Sequence, residues 1–190
     1  MSDTPKPGRG PPEGLNRPRS MVRKIPAGDD RLRLVCPDCG YIAYENPKVV
    51  VGSVATLDGK ILLCKREIGP RRGYWTLPAG FLELDETTEH GAIREALEEA
   101  SAHIEILTLL AVYNIRRISQ VQLIYRAKLL SPDIAPGLES QEVRFFAWDD
   151  IPWSDIAFPS VHWALNHHRE IGDQTVFTPR TNPPGQTGDY

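Results

Sequence analysis

The sequence predicts an α/β domain whose mixed β-sheet carries helices on its faces, with a small ribbon-like segment in front of it. Two observations favour this class. The predicted elements run strand, strand, helix, strands, helix, an order typical of a mixed sheet covered by helices. The chain has 190 residues, of which 41% are hydrophobic, which suits one domain core with short appendages.

The two ends of the chain differ in composition from the middle. Residues 1–20 are rich in proline and glycine, so we expect a disordered tail there. Residues 21–47 form the ribbon-like segment, and residues 48–171 hold the main domain. Residues 172–190 contain further prolines and are predicted to form an irregular C-terminal tail.

The strands of the main domain are indicated by runs rich in β-branched and aromatic residues. Asp58-Gly59 separates the first two runs, within residues 49–67, and this dipeptide is a strong signal for a hairpin. Later strands are predicted at 103–115, 120–130 and 142–148, and a second helix at 160–170.

The first helix is unusually acidic. Thr87 is its expected N-cap. Three glutamates lie within about 100° of one another on a helix, where like charges repel: Glu95, Glu98 and Glu99. An apolar stripe is expected on the opposite face, at Ile93, Ala96, Leu97 and Ala100, so that the acids point outward. The residues leave two interpretations open, a solvated acidic face or a site for hard divalent cations.

Bulk properties exclude several classes of partner. A net charge of −3 gives no general attraction to nucleic acid or to an anionic membrane. The sequence has no apolar run of about 18 residues and no apolar N-terminal signal segment. Three cysteines, an odd number, argue against a disulfide framework, so we expect a cytoplasmic protein.

The spacing around the acidic helix resembles the Nudix hydrolase signature. The matching positions are Gly80, Glu86, Arg94-Glu95, the aliphatic Ala96 and Glu98-Glu99. One position departs from the pattern, because Ser101 stands where the signature has glycine. Glycine would suit a left-handed helix end, so the departure concerns the C-cap and not the acids.

The resemblance extends over roughly residues 20–180. NPKVVVGSVATLDGKILLCKRE, GYWTLPAGFLEL and APGLESQEVRFFAWDDIPWSDIAF are similar to the Nudix subgroup of ADP-ribose and FAD pyrophosphatases, and resemble the plant chloroplast FAD pyrophosphatase type. The resemblance implies a Nudix α/β/α sandwich, a homodimer, and Mg²⁺- or Mn²⁺-dependent hydrolysis of FAD or ADP-ribose to two monophosphates. Hydrolysis of NADH or diadenosine polyphosphates, or a non-catalytic nucleotide-binding regulator, remain as alternatives.

The resemblance also implies roles for residues at the matching positions. The metal ligands would be the carbonyl of Ala79 and the carboxylates of Glu95, Glu98 and Glu99. Arg94 would orient these acids through charge-assisted hydrogen bonds. The base that activates water is Glu95 or a late loop acid, for which we choose Glu139, with Glu142 as the alternative.

Substrate contacts are predicted on chemical grounds alone. Arginine grips phosphate through two parallel hydrogen bonds, and aromatic rings stack on adenine or flavin. The candidate substrate-binding residues are Arg66, Arg71, Arg72, Trp75 and Phe81.

The cysteines of the ribbon-like segment form a single knuckle, Cys36-Pro-Asp-Cys39. Structural zinc normally takes four protein ligands. Relatives with a zinc ribbon carry two knuckles, and the residues before Ile25 contain no cysteine. We therefore expect no structural zinc in this chain.

Overall fold

The computed structural model describes residues 21–188, and the tail predicted at 1–20 lies outside them. The chain divides into two compact units, one ending at Asn46 and the other beginning at Pro47. The first unit contains a three-stranded antiparallel sheet, with strands β1 (Val22–Lys24), β2 (Arg33–Val35) and β3 (Ile42–Ala43).

The knuckle of this first unit lies between β2 and β3. Its turn is closed by two backbone hydrogen bonds, from Gly40 N to Cys36 O at 3.0 Å and from Cys36 N to Tyr41 O at 2.8 Å. Cys36 is buried and Cys39 is exposed. Within the described residues 21–46 these are the two thiols available, so the expectation about structural zinc stays a prediction.

The second unit contains the main sheet and both α-helices. In chain order its elements are β4 (Lys48–Leu57), β5 (Lys60–Arg66), β6 (Trp75–Thr76), β7 (Ala79–Phe81), α1 (Thr88–Ala100), β8 (Ile104–Ile115), β9 (Gln120–Leu129), β10 (Ser140–Phe146) and α2 (Pro159–Ile171). Short 3₁₀ turns lie at Arg116–Ile118, Trp148–Asp150 and Trp153–Asp155. The helices and long strands agree with the predicted ones, whereas no strand was predicted where β6 and β7 lie.

The main sheet is mixed, as predicted. Its strand order is β10-β5-β4-β9-β8, with β6 beside β5 and β7 beside β4. β4 and β9 run parallel, and the other pairs are antiparallel. The predicted hairpin joins β4 to β5, and both Asp58 and Gly59 have positive φ, 49° and 76°. Positive φ at both central residues is the geometry that makes this dipeptide favourable in two-residue turns.

The two helices cover opposite faces of this sheet. Successive strand residues point to opposite faces. Val54 and Leu63 pack in the core cluster that contains the α2 residue Leu165. The neighbouring Ala55 and Leu62 pack in the cluster that contains Ala96 and Ala100 of α1. The result is the predicted α/β/α sandwich.

The C-terminal segment, which we define as residues 180–188, follows the outer edge of the sheet. Arg180 N donates to Leu110 O and Arg180 O accepts from Val112 N, both at 2.9 Å, so the segment joins β8 at that point. The described residues after α2 form no helix and no named strand, but this part of the tail is anchored. None of the described helices is both long and apolar enough to cross a membrane.

Candidate active site

Helix α1 presents the acidic residues, and both of its ends are well defined. Thr87 caps the start, because its hydroxyl oxygen accepts a hydrogen bond from His90 N at 3.2 Å. At the other end Ser101 adopts the left-handed conformation, with φ 51°, and its N–H donates to Leu97 O. Serine thus takes the backbone conformation that glycine adopts most easily, and the helix ends as the signature requires.

The acids do not all point outward, so that part of the helix prediction is wrong. Glu95 and Glu99 are 8% and 7% exposed, whereas Leu97, placed in the apolar stripe, is 45% exposed. Helix α1 buries the two glutamates together with the small Ala92, Ala96 and Ala100. The glutamates face β7: a Cβ on Gly80 would overlap the Glu95 carboxylate, so glycine there makes room for it.

Burial perturbs the two inner carboxylates. Burial, together with the nearby negative charges of Glu95 and Glu139, raises the pKa of Glu99 to about 8. A hydrogen bond from Ala79 N to Glu99 Oε2, at 3.2 Å, and the charge of Arg66 oppose this shift. Burial also raises the pKa of Glu95, against the lowering effect of Arg94. The described side chains therefore supply too little positive charge near Glu95 and Glu99 to cancel the effect of burial on their pKa values.

Arg94 holds the acids in place. Its Nε and one NH2 group bind both oxygens of Glu86, at 3.1 and 2.8 Å, and this pair lowers the pKa of Glu86 to about 2. Its other nitrogen donates to Glu95 at 2.8 Å and to Glu98 at 3.0 Å. A fifth hydrogen bond reaches the carbonyl of Phe81 at 2.9 Å. One guanidinium thus links three carboxylates to the strand that precedes the helix.

The acids line a cavity of about 730 Å³. Its charged part is formed by Arg66, Arg94, Glu83, Glu139 and the three helix glutamates. Its apolar part continues over β8, β9 and α2, with Ile115, Ile124 and Val161 among the lining residues. The cavity therefore combines a carboxylate cluster with a hydrophobic surface large enough for an organic group.

The predicted substrate-binding residues fall into two groups. Arg66 and Phe81 line the cavity. Trp75 does not: it is 6% exposed and its ring packs edge-on against Phe146, with centroids 4.9 Å apart. Arg71 stacks on Tyr74 and Arg72 pairs with Glu67, and neither arginine lines the cavity.

The two candidate late acids differ in position. Glu139 lines the cavity at the end of a loop that is hydrogen-bonded to the last turn of α1. In that loop Ala135 N donates to Ala100 O at 2.9 Å and Gly137 N donates to Glu99 O at 3.0 Å. Glu142 lies on β10, pairs with Arg144 and does not line the cavity. The geometry favours Glu139.

Several lining residues escaped the sequence interpretation. Gln120 and Gln122 alternate along β9 and reach the cavity together with Ile115 of β8 and Gly188 of the C-terminal segment. The alternation of β9 could have indicated which side chains share a face. Nothing in the sequence indicated that residue 188 would return to the site.

The carboxylates suit a divalent cation by chemistry. Mg²⁺ and Mn²⁺ prefer carboxylate and carbonyl oxygens, and the site offers three carboxylates beside the backbone of Ala79. Among residues 21–188 no three acidic, histidine or cysteine side chains converge into a ready coordination sphere. Arg94 occupies Glu95 and Glu98, and Glu99 accepts from Ala79, so cation binding would have to redirect these side chains.

Replacing Arg94 by lysine should lower kcat about 10- to 100-fold, because an ammonium cannot hold Glu86 with two parallel bonds and reach Glu95 and Glu98 as well. Steady-state kinetics across a Mg²⁺ titration measure this effect. Arg144→Lys is the matched control, since Arg144 pairs with Glu142 outside the cavity. Equal kcat in wild type and Arg94→Lys would contradict the orienting role.

The α/β/α fold carries a cavity lined by carboxylates, and similarity to known proteins identifies its family. Residues 46–164 match the NUDIX domain, and residues 18–45 match the family described as Nudix N-terminal. The chain belongs to the Nudix hydrolase family. A NUDIX hydrolase from Nitrosomonas europaea has a similar crystal structure, with a TM-score of 0.80 and 49% identity, covering 85% of this chain and 93% of that one.

Two curated relatives carry more specific names. An ADP-ribose pyrophosphatase from Methanocaldococcus jannaschii is 31% identical over 116 residues, which are 59% of this chain and 69% of that protein. An NAD-capped RNA hydrolase NudC from Pseudomonas aeruginosa is 27% identical over 134 residues, 68% of this chain. The match spans 46% of the length of that second relative.

Proposed function

We propose that this protein hydrolyses the diphosphate bond of a dinucleotide-like substrate, ADP-ribose or FAD, to two monophosphates with Mg²⁺ or Mn²⁺. One observation carries the proposal: a single cavity joins the buried carboxylate cluster of α1 to an extended apolar surface. A diphosphate is anionic and an attached ring is flat and apolar, so one molecule can satisfy both parts. The relative named ADP-ribose pyrophosphatase supports the same substrate class.

The metal ligands of this proposal are Glu95, Glu98 and Glu99, with the Ala79 carbonyl. When bound, divalent ions would neutralise diphosphate oxygens and acidify a water molecule. The residues of the chain would position the substrate. Arg94 fixes the carboxylates, and the buried position of Glu99 excludes water from one side of the cluster.

Glu139 is the proposed general base. It lines the cavity with the helix glutamates, and its charge raises the pKa of both Glu95 and Glu99, which shows that the three acids are close. A base must lie within hydrogen-bond reach of the attacking water or one water away from it. Glu95, the other acid that family members use, is held by Arg94 and is the alternative.

Arg66 is the proposed phosphate contact. It lines the cavity, its Nε donates to Pro70 O at 2.9 Å, and its charge acts on Glu99. Phe81, 47% exposed beside the cluster, is the proposed stacking surface for the second ring of a substrate that has two, such as the flavin of FAD. We further propose a cytoplasmic homodimer without nucleic-acid or membrane partners, as the charge balance and the family resemblance suggest.

The substrate assignment is tested with a panel of FAD, ADP-ribose, NADH, diadenosine polyphosphates and nucleoside triphosphates. We expect kcat/KM to be highest for ADP-ribose or FAD, giving AMP with ribose 5-phosphate or with FMN. Each compound is assayed with Mg²⁺, with Mn²⁺ and with chelator, and products are separated by chromatography.

Other outcomes of the panel would redirect the proposal. A preference for NADH would support a second candidate function, hydrolysis of NADH. The specific observation in its favour is the match to an NAD-capped RNA hydrolase. A preference for triphosphates would contradict the diphosphate-linked substrate. Tight nucleotide binding with no turnover under either metal would favour a non-catalytic regulator.

A further inference from the structure

The apolar part of the cavity has a wall that comes from the far end of the chain. Gly188 lines the cavity together with Ile115. The approach is close, because a Cβ on Gly188 would overlap the Ile115 side chain and would contact Trp163 of α2 at 3.4 Å. The C-terminal segment therefore closes a gap between β8 and α2 beside the cavity.

The C-terminal segment is fixed by side-chain hydrogen bonds as well as by its bridge to β8. Asn182 Oδ1 accepts from Asn114 N at 2.8 Å, and Asn182 Nδ2 donates to Asn114 O at 2.9 Å. The same amide group donates to Gln186 O at 3.2 Å. The indole N–H of Trp163 donates to the Gln186 side chain. Asn182 thus joins the backbone of β8 to the backbone of Gln186, and these hydrogen bonds fix the position of residues 186–188.

The floor between this wall and the acids is a row of paired strand residues. Phe81 of β7 lies opposite Val50 of β4, and Val50 lies opposite Gln122 of β9; all three line the cavity. On the same strand Gln120 pairs with Ile115, which contacts Gly188. Paired residues share a face, and neighbouring strands are about 4.8 Å apart. Two such steps give about 10 Å from Phe81 beside the carboxylates to Gln122. A diphosphate at one end leaves room for a ring at the other.

Two carboxamides beside the wall give this end hydrogen-bonding specificity. Gln122 Nε2 donates to Gln120 Oε1 at 3.2 Å, and both side chains line the cavity. That bond does not use the oxygen of Gln122 or the amide nitrogen of Gln120. The pair can therefore offer one acceptor and one donor side by side, which is the pattern that reads the edge of adenine.

We propose that the C-terminal segment and the Gln120–Gln122 pair form a subsite for the purine ring of the substrate. Gly188 packs against one side of the ring, and the two carboxamides bind its polar edge. This inference rests on the proposed function, because it assigns the ring of the same substrate. Asn182 is a positioning residue in this subsite and does not itself line the cavity.

The test measures binding of AMP and of inorganic pyrophosphate, each with Mg²⁺, by calorimetry on the full chain. AMP carries the ring and pyrophosphate does not. Asn182→Ala should weaken AMP binding at least tenfold and leave pyrophosphate binding within twofold. Val176→Ala is the matched control, since Val176 is 89% exposed in the same tail, and it should change neither affinity.

Release of the C-terminal segment from β8 is followed independently by trypsin digestion and mass spectrometry of the intact protein. Cleavage after Arg180 removes the rest of the C-terminal segment, from residue 181 on, and the pairing of Arg180 with β8 protects that bond. We expect faster cleavage in Asn182→Ala and slower cleavage of wild type when AMP is bound. If Asn182→Ala alone does not speed cleavage, the double variant Asn182→Ala/Gln186→Ala is used for both measurements.

Three results would overturn the subsite. They are unchanged AMP affinity in a variant whose segment is released, equal weakening of AMP and pyrophosphate, and no AMP binding to wild type. Failure of the proposed function gives a different result. In that case the variants still weaken AMP selectively while no dinucleotide of the panel is hydrolysed.

Discussion

Replacing Glu99 by glutamine is expected to lower kcat by about 10²- to 10³-fold, the effect typical of removing one group that stabilises transition-state charge. Glutamine keeps the size of the side chain and an oxygen that accepts from Ala79 N. It removes the negative charge from the acid buried deepest in the cavity. The measurement is single-substrate kinetics over a range of Mg²⁺ and Mn²⁺ concentrations.

Glu105→Gln is the control for this variant. Glu105 is half-exposed on β8, pairs with Lys128 and does not line the cavity, so its loss should leave kcat unchanged. Near-normal Mg²⁺-dependent rates in Glu99→Gln would contradict the metal-binding role of Glu99. Equal losses in both variants would indicate a general effect of charge.

The stability of Glu99→Gln without metal shows whether its fold is intact. The pKa of Glu99 is about 8 in the folded protein, against a usual value of 4.5. Between pH 4.5 and pH 8, Glu99 is ionised in the unfolded chain but still protonated in the folded protein. The free energy of unfolding of wild type therefore falls as pH rises from 4.5 to 8. Glutamine removes this loss. In chelator, urea unfolding should find the variant more stable by roughly 4 kcal/mol at pH 8 and nearly equal to wild type at pH 4.5.

Replacing Gly137 by alanine is expected to lower kcat about 100-fold and to reduce the free energy of unfolding by about 1–3 kcal/mol. A Cβ at this position would overlap the backbone oxygen of Glu98, which cannot move without distorting α1. The loop must therefore retreat from the helix and carry Glu139 away from the other acids. Kinetics and urea unfolding measure the two effects.

The neighbouring Pro136→Ala is the control, because Pro136 is exposed in the same loop. It should retain kcat and most of the stability. A Gly137→Ala variant that is destabilised but turns over normally would show that Glu139 is not the base, and would favour Glu95.

The parts of the structure that local rules determine were predictable. The Asp58-Gly59 turn, the Thr87 cap and the strands on either side of residues 116–119 each follow from short-range preferences, and the structure confirms them. Signature spacing also located the acidic helix correctly. These features depend on residues that are neighbours in the sequence, so one sequence is enough to predict them.

The features that tertiary contacts decide were not predictable in the same way. Hydrophobic periodicity places charged residues in solvent, so it could not show that Glu95 and Glu99 lie against β7 while Leu97 is exposed. A functional site breaks the pattern at the position where its chemistry is needed. Trp75 was proposed as a substrate contact but packs in the core. The local sequence around an aromatic residue does not show whether its ring fills a core or lines a cavity.

The parallel pairing of β4 with β9 sets the order in which the domain can form during synthesis. The β4–β5 hairpin and helix α1 leave the ribosome first, but β4 gains its parallel neighbour only once residues 120–129 have been made. Until then a long apolar strand has one open edge, which invites pairing with other chains. Slow translation between residues 57 and 120 would prolong that exposure, so the speed of codon decoding there bears on the yield of native protein.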